Sequence, residues 1–124
     1  MKSYKDLDIY TLSLSLFYKT HTLSLKLPNY EKYELGSQLR RSSDSVVSNI
    51  VEGYGRKQYK ADFIKFLTYS HASNLETTCH LEKIEFLYPD IANEARRLKD
   101  EYDKLGAKIF SFLRYVKSNW NKFE

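Results

Sequence analysis

The chain is short of nearly everything that interrupts regular structure. Its 124 residues hold two prolines, Pro28 and Pro89, and four glycines. So few breakers favour long regular elements over a loop-rich fold. A single cysteine, Cys79, excludes an internal disulfide, and no Asn-x-Ser/Thr acceptor occurs. Both absences suit a reducing compartment, so a cytoplasmic location is expected. No run approaches the ~18 apolar residues of a membrane helix. The start, Met1 to Asp6, leads into no apolar stretch of the secretory kind. No membrane partner is therefore expected. What remains is ordinary for a soluble globular protein, with 42% apolar and 29% charged residues. The length fits one domain, 1–124.

The apolar residues recur at helical spacing. Leu35, Leu39, Ser42, Val46 and Ile50 form one stripe, widened by Val47 and Val51. Phe63, Phe66, Leu67, Ser70, Ser73, Thr77, Leu81 and Ile84 form a second. Ile91, Ala95, Leu98, Tyr102, Leu105, Ile109, Phe112 and Val116 form a third. The first tract is ambiguous, because Leu12, Leu14 and Leu16 alternate with serines. Length decides for a helix, with Leu7, Tyr10, Leu14, Phe17, His21 and Leu25 as its core face. Gly53 and Gly55 are expected to stop the second helix in a left-handed turn. Asp90 suits a helix start either as a cap or as a first-turn acid. The spacing predicts helices over about 6–26, 31–53, 59–87 and 90–118. Four amphipathic helices with short connections predict an all-α, antiparallel up-down four-helix bundle.

Charge is unevenly placed. Residues 1–60 hold ten basic and six acidic side chains, residues 61–103 five and nine, and residues 104–124 five and one. Two basic regions flank an acidic middle. Such asymmetry favours a polyanion on one surface, or head-to-tail association of copies.

Reactive constellations are missing. His71 and His80 stand nine residues apart, on opposite faces of a helix, and no HExxH, CxxC, Walker or GxGxxG pattern occurs. Cys79 and His80 diverge by about 100° on a helix, so Cys79 is expected to be a half-buried, unreactive thiol. No metal, cofactor or catalytic residue is expected, and the chain reads as a non-enzyme.

The informative stretch runs from Gln38 to Lys60. Gln38, Arg41, Ser45, Asn49, Glu52 and Arg56 line up beside the apolar stripe. Such a line either bonds neighbouring helices, with Ser70 and Ser73 as partners, or faces a ligand. Arg40, Arg41, Arg56, Lys57 and Lys60 are the densest basic group. The last three follow a glycine turn, a natural place for phosphate contacts from RNA or DNA. Near the C-terminus, Lys104, Lys108, Arg114, Lys117 and Lys122 interleave with Phe110, Phe112, Tyr115, Trp120 and Phe123. That pattern either binds single strands by stacking plus charge, or places Phe112 in the core and Trp120 over the bundle end.

The same stretch resembles a known family. Leu27-Pro28, Glu31, Tyr33, Leu35, Gln38-Leu39-Arg40-Arg41-Ser42, Ser45-Val46, Asn49-Ile50 and Glu52-Gly53-Tyr54-Gly55-Arg56 are similar to the signature of the 23S rRNA-intervening sequence proteins. Phe66-Leu67, Ser73 and Glu76 resemble that family's third helix. Asp8-Ile9-Tyr10 and Tyr18-Lys19-Thr20 resemble its start. The resemblance covers nearly residues 5–88, and Gln38, Ser45, Asn49, Glu52, Gly53 and Gly55 carry its motif. It implies a small bacterial bundle that assembles into a ring-like homopentamer. It also implies kinship in fold with the accessory protein of diversity-generating retroelements, which binds nucleic acid and a reverse transcriptase. The partners it implies are therefore further copies of the chain, RNA or DNA, and a protein such as a reverse transcriptase. Ser42, Ser43, His71 and Asn74 stand where the family commonly has small or larger apolar residues.

Overall fold

The computed structural model describes residues 3–120. A 3-10 turn over Tyr4–Asp6 precedes α1 (Asp8–Ser24). A single turn, α2 (Asn29–Lys32), leads into α3 (Leu35–Gly55). Then come α4 (Lys60–Leu87), a 3-10 turn over Pro89–Ile91, and α5 (Ala92–Asn119). Four long helices thus share one core, and no strand occurs among the described residues. Each has a cause in the sequence. Pro28 ends the α1 tract and sits at the cap position of α2. Pro89, which lacks an N–H to waste, opens the turn into α5. Asp90 lies in the first turn of that 3-10 element rather than capping α5.

The core is built largely from the stripes of α3, α4 and α5. Leu39, Val46, Ile50, Phe63, Leu67 and Leu81 are fully buried, as are Ala95, Tyr102, Ile109 and Val116. Three further features depart from expectation. The first is the face of α1. Ile9, Ser13, Leu16, Thr20 and Leu23 are buried. Tyr10, Leu14 and Phe17 are only half-buried, and His21 and Leu25 are exposed. The cause is polar. The Thr20 hydroxyl lies 2.8 Å from the buried Tyr102 hydroxyl on α5, and Ser24 accepts a 2.9 Å bond from Arg40 on α3. Those partners can be reached only with α1 turned away from its bulkiest row.

The second is the end of α3. No glycine has a positive φ, so no left-handed stop forms. Gly53 and Gly55 lie inside the helix, which ends at Arg56 with φ −106° and ψ 15°. Gly53 is there for closeness. A Cβ at that position would sit 3.2 Å from the Phe66 Cβ and 3.3 Å from the Phe63 ring. The third is Cys79, which is exposed rather than half-buried.

Polar side chains join the helices inside the core. The Asn74 amide on α4 donates to the Tyr102 carbonyl on α5 at 2.8 Å. Thr77 donates to Ser42 at 2.9 Å, and Ser70 donates to the Val46 carbonyl at 2.7 Å. Burial raises the pKa of the Tyr102 phenol well above its usual value, against the pull of its bonds to Thr20 and Ser43. At the α2 end, the Tyr88 hydroxyl donates to the Glu31 carboxylate.

Gly106 makes room for Asn74, since a Cβ there would come within 2.8 Å of the Asn74 amide nitrogen. That nitrogen cannot move without losing its bond to Tyr102. Gly106→Ala is therefore expected to destabilise the fold by about 1–3 kcal/mol, despite the better helix propensity of alanine. Gly55→Ala meets nothing within 4 Å. It is expected to be neutral or to stabilise by up to about 1 kcal/mol. Urea denaturation of the two variants checks the opposite signs.

Candidate nucleic-acid interface

The polar line of α3 divides into two parts. Its middle is spent on α4. The Ser45 hydroxyl lies 2.8 Å from that of Ser73. Asn49 donates to both the Ser45 carbonyl and the Ser45 hydroxyl at 2.9 Å. With the Ser70 bond and the close approach at Gly53, this stretch clamps α3 to α4. Gln38 and Arg41 at the other end of the line are exposed.

The C-terminal part of the line is different. Glu52 and Arg56, one helical turn apart, form a 2.7 Å ion pair. Asp62, across the turn on α4, lies 3.5 Å from the same guanidinium. The Glu52 bond, helped by Asp62, raises the pKa of Arg56 and holds it charged. The guanidinium also lies 5.0 Å over the Phe66 ring. Lys57 sits 4.9 Å over Tyr54, and Lys65 lies 5.5 Å over Phe66. Rings beneath cations fix where the charges point without neutralising them, although Glu52 and Asp62 already balance the charge of Arg56. Lys60 begins α4, and Tyr59 beside it is 64% exposed.

The C-terminal end of α5 joins this end of the bundle. Trp120 packs edge-on to Phe63 at 5.2 Å and to Phe112 at 6.5 Å. It thus lies over the bundle end, and Phe112 packs against the core. Arg114, Tyr115 and Lys117 remain exposed around it. Phe110 is half-exposed beneath Arg114 and beside His71. Lys104 and Lys108 lie along the α1–α5 groove instead. Lys122 and Phe123 lie outside the described residues. One end of the bundle therefore gathers Arg56, Lys57, Lys60, Lys65, Arg114 and Lys117.

Arg40 and Arg41 stand apart from that group. Four helical turns separate them from Arg56, or ~23 Å along α3. Arg40 donates to the Lys32 carbonyl at 2.7 Å and to Ser24 at 2.9 Å, tying α1 and α2 to α3. Asp62, Phe66, Tyr59 and Lys65 were not singled out as parts of a site from the sequence. The Glu52–Arg56 spacing is legible as an i,i+4 pair, but a partner across a turn leaves no periodic signal. Among the described residues no group of three or more potential metal ligands occurs. His80 pairs with Glu76 at 3.3 Å. No helix among them is long and apolar enough to cross a membrane.

Four long helices around one core, clamped by a polar line and ending in a basic turn, make this an all-α four-helix bundle protein. The profile of the 23S rRNA-intervening sequence proteins matches residues 5–111. The chain belongs to that family. No curated protein matches it.

The two neighbouring arginines should separate cleanly. Arg40→Ala removes both ties to α1 and α2 and is expected to cost about 1–3 kcal/mol of stability. Arg41→Ala, on the exposed face, is expected to stay within about 0.5 kcal/mol of the parent. Thermal unfolding of both variants checks the contrast.

Proposed function

We propose that the protein is a non-enzymatic, self-assembling bundle that binds RNA through the basic end formed by the α3–α4 turn and the last turns of α5. The observation that carries this reading is the convergence of Arg56, Lys57 and Lys60 with Lys65, Arg114 and Lys117. Exposed Tyr59 and Tyr115 stand among them. Cations held over rings suit phosphates, and exposed tyrosines suit unpaired bases. Arg41, four turns away along α3, lies outside the proposed contact. Arg40 is assigned to holding the fold.

In this proposal the helices run up and down in antiparallel order. Pairs across α3 and α4 support it: Ser42 meets Thr77, Ser45 meets Ser73 and Val46 meets Ser70. One number falls as the other rises. Copies then assemble into the ring-like homopentamer that the family resemblance implies. In a ring, the modest net charge of one chain becomes a basic surface repeated around the assembly, which is what a polyanion binds.

Phosphate contacts release counterions, so binding must weaken with salt. Filter binding to structured rRNA fragments is expected to show tight binding at low salt. Lys57→Ala with Lys60→Ala is expected to weaken binding and to reduce the salt slope by about two, roughly one per lysine. Absence of binding at low salt, or an unchanged slope in the double variant, would overturn the proposal.

A further inference from the structure

α1 is the least charged of the long helices. Its 17 residues hold only two charged side chains, Asp8 and Lys19. Both line depressions shared with α5. The opposite row, Leu14, Tyr18, His21 and Leu25, carries no charged side chain; Leu14 is half-buried and the other three are exposed. Tyr18 is 60% exposed and Leu25 53%. Several turns of bulky, uncharged helix left in water mark an interaction surface.

α4 carries a second such row. Thr68, Ala72, Leu75 and Cys79 follow one another at helical spacing, and all are exposed. α1 and α4 each pack against both α3 and α5, so they occupy opposite corners of the bundle. One copy therefore presents two uncharged rows on opposite sides.

We propose that the α1 row of one copy docks on the α4 row of a second copy of this chain. This rests on the self-assembly proposed above and adds the two faces that make it. The lack of charge selects the pairing. The outer surfaces of α3 and α5 carry Arg41, Asp44, Glu52, Arg97, Asp100 and Lys104, whereas Glu76, the acid beside the middle of the α4 row, is already paired with His80. Laid on α1, the α3 and α5 surfaces would bury charges without partners. Size selects it too. The α1 row is bulky, whereas on α4 Leu75 stands between the smaller Thr68, Ala72 and Cys79, which leave space on either side of it for large side chains. Both rows span eleven steps from first residue to last, ~16 Å of helix. An α1–α1 contact would leave the α4 row uncovered. The α1–α4 contact covers both with one interface and can repeat to a third copy, as a ring requires.

Cys79, the single cysteine, lies in the proposed interface and reports on it. His21→Cys or Leu25→Cys, one turn apart and near the level of Cys79 in the bundle, is added to the full chain, followed by mild oxidation. At least one is expected to give disulfide-linked species on non-reducing electrophoresis. The parent chain, and the same variants carrying Cys79→Ser, are expected to stay unlinked. Equal linkage in the Cys79→Ser background would reveal an α1–α1 contact and overturn the pairing. So would the absence of linkage in a chain that sediments as an oligomer, an outcome that leaves self-assembly standing. A monomer in sedimentation removes both. Ala72→Arg, on an exposed site, is expected to shift the sedimenting species to the 14.7 kDa monomer with helical circular dichroism retained. An unshifted oligomer contradicts the proposal.

Discussion

The structure depends on a layer of buried hydrogen bonds centred on Tyr102. Its hydroxyl meets Thr20 on α1, and its carbonyl accepts from Asn74 on α4. Thr77 and Ser42 close the layer between α4 and α3. None of these groups can turn to water. Sliding one helix past another by a residue would strand a buried hydroxyl or amide, at about 1–3 kcal/mol each. Leucine and valine stripes alone would tolerate several registers, because apolar contacts are non-directional. The polar layer removes that freedom, and Gly106 exists to let Asn74 reach its acceptor.

The same layer sets what the surface can do. Thr20 must face Tyr102, so α1 is rotated and Tyr18, His21 and Leu25 face outward. That rotation creates an uncharged corner. On α3, the Ser45–Asn49–Ser73 clamp brings the helix close to α4 and carries Gly53 against Phe66. The close approach places the Arg56 guanidinium over that ring and beside Asp62. The basic end is thus a consequence of how tightly α3 and α4 meet.

Much of this was legible in the sequence. The stripes of α3, α4 and α5 have strict spacing and charged flanks, so their buried faces follow from periodicity. α1 misleads because it is apolar on most sides. Its orientation is decided by Thr20 and Ser24, whose partners are more than fifteen residues away in sequence. The glycines misled for a related reason. A glycine near a helix end suggests a left-handed stop, whereas Gly53 serves close packing against α4. Of the basic group, Arg56, Lys57 and Lys60 share one turn and are found together. Arg40 is adjacent to Arg41 in sequence, yet one is tied to the α2 carbonyl and the other faces solvent. Sequence adjacency on a helix means a turn of about 100°, and that is enough to separate a structural bond from a free charge.

The central claim is that one end of the bundle meets RNA. Lysine acetylation of the unmodified protein, read residue by residue with and without a structured rRNA fragment, tests it most directly. The account predicts protection of Lys57, Lys60, Lys65 and Lys117. Lys26, Lys32, Lys83 and Lys99, around the other end, should stay as reactive as in the free protein. Protection centred on that other set, or no protection at all, would contradict it.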